Sequence, residues 1–217
     1  MWRILIIFII MGSSAWGAKE SPRFQVQEFP QLQQMDLWDP ALWQMHVKLY
    51  QGYVKHAEAL CSQIQELSRK GKAKTEEYGA LKRRLAWEID GIRLHELYFS
   101  QLGAPSSIAM DPSLIGMIEE EFGSVQQWKQ DFIATGLMRG IGWVVLAFDP
   151  VHKQLYNLWI QEHDTGHLVS YCPLLIMDVF EHAYITQFGL DRERYIDLFF
   201  RSLQWDVVNQ RWKKYSP

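Results

Sequence analysis

Two long apolar stripes at helical spacing, each carrying a histidine among aliphatic and aromatic neighbours, set the tightest limit on how this chain can fold. From Pro40 to about Leu67, the residues Leu42, Met45, His46, Leu49, Tyr53, Ala57, Leu60, Ile64 and Leu67 recur mostly at steps of three or four. Gly71 and Lys72 break the pattern. It resumes from Ala73 to about Gln101 through Tyr78, Leu81, Leu85, Ile89, Ile92, His95 and Phe99. Two long helices with a short polar link predict an antiparallel helical hairpin. A polar ring on a core-facing stripe is costly unless something satisfies it, so His46 and His95 are candidates for a ligand role.

Leu102 to Pro112, with Gly103, Pro105, Ser106 and Ser107, has the composition of a connecting loop. Two shorter helices follow, Ser113 to Phe122 and Ser124 to Leu137, separated at Gly123. Ser113 is a candidate cap for the first, and Ser124 with Gln127 matches a capping pattern for the second. The character then changes. Trp143 to Phe148 and Leu155 to Ile160 are β-branched and aromatic runs flanking Asp149-Pro150, which predicts two strands joined by a turn. Leu174 to Phe180 makes a third strand, and a helical tail carries Tyr195, Leu198, Phe199, Leu203, Val207, Val208 and Trp212 on its apolar face.

Residues 1–17 have the layout of a secretory signal: Arg3, the apolar run Ile4 to Met11, then Ala15-Trp16-Gly17 with small residues suited to cleavage. The run is short of the roughly 20 residues a spanning helix needs, so an exported protein, periplasmic or secreted, with no membrane association in the mature form is expected. A net charge of −3 over 217 residues leaves no basic footprint for nucleic acid. Cys61 and Cys172 do not form a C-x-x-C redox motif. Whether they bridge or are two separate thiols is open, since pairing depends on geometry.

The segment Asp178-Val-Phe-Glu-His182-Ala-Tyr carries the chemistry. Aspartate and histidine four apart can point the same way, and both are ordinary ligands of first-row transition metals. Here the pair closes a buried-looking run, Leu174 to Asp178, where an ionised carboxylate needs a partner or a metal. With His46 and His95 the set is three imidazoles and one carboxylate, suited to iron or manganese. A metal hydrolase fits poorly, because no further carboxylate is evident as a general base.

That segment is similar to the Asp-Val-Trp-Glu-His-Ala-Tyr signature of the iron/manganese superoxide dismutases. Leu49-Tyr-Gln-Gly-Tyr53-Val54 and His95-Glu-Leu-Tyr-Phe-Ser-Gln-Leu-Gly103 resemble the family's two long helices. Phe122-Gly-Ser124, Gly140-Ile-Gly-Trp143 and Gln204-Trp-Asp-Val-Val208 resemble later elements in the same order. The resemblance implies an α+β fold, with an N-terminal long antiparallel helical hairpin (18–105) and a C-terminal α/β domain holding a three-stranded antiparallel sheet (106–217). It implies one Fe or Mn ion per chain, bound by His95, Asp178, His182 and a first-helix histidine, and disproportionation of superoxide to dioxygen and hydrogen peroxide. Tyr53 would stand beside the open position of the metal. The family's hydrogen-bonding glutamine comes either from the helix, where this chain has Gly91, or from the sheet, where His163 would take the role. A homodimer with Glu181 at its interface is also implied.

Several positions depart from the family pattern. Counting back from Tyr53, the usual spacing places the first ligand at Met45, a soft thioether, rather than at His46. Either a change of helical register turns His46 into the ligand direction, the reading we favour, or the fourth ligand is lost. In the second case the chain is an impaired member of the family, acting as a metal-binding or dimeric interaction protein. A histidine of the first helix that bonds across the dimer is replaced by Leu49 or Tyr50, depending on register, and its tyrosine partner by Ile185. Phe99 and Phe180 stand where the family has tryptophans walling the site.

Overall fold

A computed structural model describes residues 23–216; the expected signal at 1–17 lies outside the described residues. The two stripes form α1 (Pro40–Arg69) and α2 (Glu76–Ser100), which pack on each other as a hairpin. Asp39 starts α1 by accepting the Ala41 N–H, with Pro40 at the first turn, and Thr75 starts α2 by accepting the Tyr78 N–H. The buried face of α1 is rotated from the expected stripe. Met45 is exposed and Leu49 and Leu60 are only half-buried, while Trp43, His46, Tyr50, Tyr53, Val54, Ala57 and Cys61 face the core.

After the connecting loop come α3 (Pro112–Phe122) and α4 (Val125–Gly136). The cap of α3 is Asp111, whose carboxylate accepts the Ser113 N–H, rather than Ser113 itself; Pro112 lacks a donor and fits the first helical position. Ser124 caps α4 as expected, accepting the Gln127 N–H at 3.1 Å.

Strands β1 (Gly142–Asp149), β2 (Gln154–Gln161) and β3 (Cys172–Asp178) form an antiparallel sheet in the order β2-β1-β3. The third strand stops at Asp178, short of Phe180, because Phe180 N–H turns back to the Asp178 carboxylate. The continuous run Trp143 to Phe148 explains the central place of β1, buried along nearly its whole length. Helices α3 and α4 pack against β2, and α2 and α7 (Trp205–Tyr215) against β3, so the sheet is wedged between the hairpin and the later helices. A 3-10 turn at Glu181–Ala183, the short α5 (Ile185–Phe188) and α6 (Arg192–Arg201) complete the chain.

Polar staples fix the hairpin to the sheet. Gln101, fully buried just past α2, accepts the Ile176 N–H and donates to the Ile176 carbonyl. Arg211 of α7 donates to the Gln101 side chain and to the carbonyls of Leu97 and Leu174. Buried polar groups are thus paired across three elements, and the relative placement of α2 and β3 is fixed. Cys61 and Cys172 are both free thiols. Among the described residues, no helix is long and apolar enough to cross a membrane.

Candidate metal centre

The four predicted ligands come from four segments and meet between the hairpin and the sheet. His46 lies on α1, His95 on α2, Asp178 at the end of β3 and His182 in the 3-10 turn. One donor atom from each falls within 4.8 Å of the others. Oδ2 of Asp178 is 3.1 Å from Nε2 of His46, 3.1 Å from Nε2 of His182 and 3.7 Å from Nε2 of His95. Donors about 2.1 Å from one ion are separated from one another by roughly 3 to 4 Å; the three distances to Asp178 fall in that range, and the whole set lies within 4.8 Å.

Helical geometry explains why His46, and not Met45, reaches the cluster. Seven residues at about 100° each bring a side chain almost back to the same face, so in an uninterrupted α-helix His46 aligns with Tyr53. Helix α1 has no 3-10 or π interruption, and Met45 is accordingly turned away, 37% exposed, while His46 is fully buried. The ring of His46 lies parallel to Trp43 and edge-on to Phe99.

Backbone contacts set the donor atoms. His95 Nδ1 faces the Gly91 carbonyl at 2.6 Å; a carbonyl only accepts, so Nδ1 carries the proton and Nε2 keeps its lone pair. That Nε2 is buried without a partner. Asp178 Oδ1 accepts the Phe180 N–H at 2.8 Å, which leaves Oδ2 facing the three imidazoles. The Asp178 carbonyl accepts from the Tyr195 hydroxyl at 2.5 Å, and Val179 N–H donates to Gly142 O. Gly142 must be glycine: its φ is 147°, and a Cβ there would stand 2.1 Å from the Ile160 carbonyl oxygen.

Burial pushes the imidazoles of His46 and His95 down, His95 the further, so both are neutral. Burial alone would raise the Asp178 carboxyl, but the imidazoles of His182 and His46 outweigh it and hold it well below the usual carboxylate range. Neutral imidazoles beside an ionised carboxylate are the protonation states a cation requires. A buried carboxylate oxygen faced by an unpartnered imidazole lone pair is unfavourable without a positive charge between them. The residues therefore fit a single iron or manganese ion.

Tyr53 and His163 form a pair beside this cluster. Trp143 Nε1–H donates to His163 Nδ1 at 3.0 Å, so the neutral ring carries its proton on Nε2 and donates it to the Tyr53 hydroxyl at 3.0 Å. Burial pushes His163 down to about 4, keeping it neutral, and pushes the Tyr53 phenol well above its ordinary value, keeping it protonated. A Cβ at Gly91 would lie 3.2 Å from the Tyr53 ring and 3.3 Å from the His163 ring. The two rings occupy the space a helix side chain would need, so His163, which lies in the turn just past β2 rather than on the sheet itself, excludes a donor from the helix.

Sequence reasoning missed several supports. Trp87 lies 4.4 Å from the His163 ring, between centroids, with the Arg84 guanidinium 3.7 Å over its own ring and its indole N–H donating to Glu162. Phe180, expected from the sequence to wall the site, packs on His163 from another direction. Tyr50, at the position of the missing first-helix histidine, is fully buried and donates to Glu96 at 3.0 Å. The Gly140-to-Trp143 match carried a signal for Trp143, though not for its role; nothing in the spacing pointed to Trp87. Glu181, expected at a dimer contact, is exposed in the single chain, as is Ile185.

The profile described as iron/manganese superoxide dismutases, C-terminal domain, matches residues 110–211. The chain is 33% identical over 172 residues to the superoxide dismutase [Fe] of Pyrobaculum aerophilum, covering 78% of this chain and 81% of that one. It is 31% identical over 169 residues to the superoxide dismutase [Mn/Fe] of Aeropyrum pernix, covering 76% and 78%. Over 124 residues it is 37% identical to the superoxide dismutase [Mn] of Haloarcula marismortui, covering 57% and 61%.

Proposed function

The chain belongs to the iron/manganese superoxide dismutase family, and on that premise we propose that it disproportionates superoxide with one iron or manganese ion held by His46, His95, Asp178 and His182. The observation that carries this reading is the convergence of the four donor atoms within 4.8 Å, with the lone pair of buried His95 left free.

An iron or manganese ion held by His46, His95, Asp178 and His182 would supply one-electron redox chemistry at the site. The overall change consumes two protons and yields dioxygen and hydrogen peroxide. The chain's residues hold and place protons. His163 donates from Nε2 to the Tyr53 oxygen, which leaves the phenolic proton of Tyr53 free to point toward the site. Trp143 prevents the His163 ring from exchanging its two nitrogens. Asp178 supplies the one negative charge of the set, and the fixed tautomer of His95 presents Nε2 without any proton loss on binding. Phe99, Trp43 and Phe180 pack around these groups and keep water from competing for them.

The proposal extends to context. Residues 1–17 act as an export signal, so the mature protein works in the periplasm or outside the cell. It functions as a homodimer through the face that carries exposed Glu181 and Ile185. N-terminal sequencing of the exported protein and its mass in solution test these two statements.

The activity is tested by measuring iron and manganese per chain in the purified mature protein and assaying superoxide removal beside His182→Ala. Near-stoichiometric metal, with activity abolished in the variant, is the expected result. A wild type that holds no metal, or holds it without activity, sinks the reading.

A further inference from the structure

His163 is held by its ring, but the loop that carries it, from Glu162 to Ser170, leaves the sheet with backbone at positive φ at both of those residues. Such a loop needs its own anchor if the ring is to keep its distance from Tyr53. One side chain within it supplies an anchor. His167 Nε2 lies 2.7 Å from the His163 carbonyl oxygen, and its Nδ1 lies 2.6 Å from the Tyr171 hydroxyl. Because a carbonyl only accepts, Nε2 carries the proton and donates it; in the neutral ring Nδ1 then accepts from Tyr171. Burial pushes the Tyr171 phenol up to about 12, so it remains a donor. The carboxylate of Asp90, on α2, lies 3.8 Å from the same Nε2 and favours a proton there.

We propose that His167 is a positioning residue for the Tyr53–His163 pair: by holding the His163 carbonyl, it fixes where the His163 ring meets the Tyr53 hydroxyl. Two hydrogen-bond relays of one design then run side by side. Trp143 sets the tautomer of His163, which donates to Tyr53; Tyr171 sets the tautomer of His167, which donates to the His163 backbone. His167 itself makes no contact with the four ligands among its hydrogen bonds, and it acts only through His163. The kinetic side of this inference rests on the activity proposed above, whereas the geometric side does not.

The test compares His167→Gln, His167→Asn and His167→Leu. The Gln amide reaches the place of Nε2 and can still donate to the His163 carbonyl; Asn stops near Nδ1, and Leu donates nothing. In metal-free protein, nitrogen NMR of the histidine rings is expected to give one bare and one protonated nitrogen for His163 in the wild type and in H167Q. In H167N and H167L the two His163 signals move toward each other as the ring loses its fixed place. In loaded protein, H167N and H167L lower kcat by roughly three- to tenfold with metal content unchanged, and H167Q stays within about twofold of wild type. Should H167L not fold, as read by circular dichroism, the Gln and Asn pair decides. The inference is overturned if His163 signals are the same in all variants, or if H167Q is as damaged as H167L, which would make the residue mere packing. A wild type without superoxide activity sinks the reading of function instead, and the NMR comparison still decides the role of His167.

Discussion

Nε2 of His46 lies 3.1 Å from Oδ2 of Asp178, a residue 132 positions further along the chain, while Met45 beside it faces away from the core. The first-helix donor in the proposed site is therefore His46 rather than Met45. His46→Ala is expected to lower metal content per chain and to remove activity, exceeding the roughly 10- to 100-fold loss that follows removal of a group supporting a ligand. Met45→Ala should leave both unchanged. Moving the imidazole by one position, in the double variant M45H/H46A, should not restore the metal, because about 100° of helical rotation separates the two side chains. Metal analysis of the three proteins checks this; recovery in the double variant would refute the assignment.

Buried histidines make the metal-free protein acid-sensitive. His163 has its proton affinity lowered by burial from an ordinary value of 6.5 to about 4, and His46 and His95 are lowered in the same direction. Between those values the unfolded chain binds more protons than the folded one, so stability rises with pH across that interval and is lost as pH falls through it. Above about pH 7 these groups add no slope. Urea unfolding of metal-free protein from pH 4 to pH 8 should show this trend, and His163→Gln should make it shallower. A flat profile would contradict the buried, neutral state of these rings.

Gly91 and His163 compete for one space. A methyl group at position 91 meets the Tyr53 and His163 rings at 3.2 and 3.3 Å, so Gly91→Ala is expected to cost about 1–3 kcal/mol of stability by overpacking and to reduce activity. Combining it with His163→Ala should recover much of that stability, though not the activity. Thermal melts of the single and double variants give the coupling directly, and simple additivity would rule it out.

Gly142→Ala is expected to be the most damaging single change outside the ligands. The added carbon would sit 2.1 Å from the Ile160 carbonyl oxygen at a φ of 147°, a combination that costs roughly 3 kcal/mol or more. The Gly142 carbonyl also receives the Val179 N–H next to Asp178, so metal content should fall along with the melting temperature. Normal metal loading in this variant would show that the strand end does not position the aspartate.

The hairpin and the three strands were legible in the sequence because their patterns are local: a 3.6-residue period over α1 and α2, then unbroken β-branched and aromatic runs. His95, Asp178 and His182 were legible through the short motifs around them. The choice between Met45 and His46 was not, since both fall on a broad apolar stripe and only the rotation of the packed helix separates them. Trp87 and His167 were invisible for another reason. Trp87 on α2 and His167 both meet His163 only because of the course of the loop that carries it, which depends on left-handed backbone at Glu162 and Ser170, neither of which is a glycine, so no local signal announces either contact.

The four donors are spread from residue 46 to residue 182, over two helices, a strand end and a turn. No fragment of the chain owns the site, and a product that ends before Asp178 has only the two imidazoles of His46 and His95 from the set to offer. The whole donor set exists only after the hairpin has packed against the end of β3, so metal capture is expected to follow that packing rather than precede it.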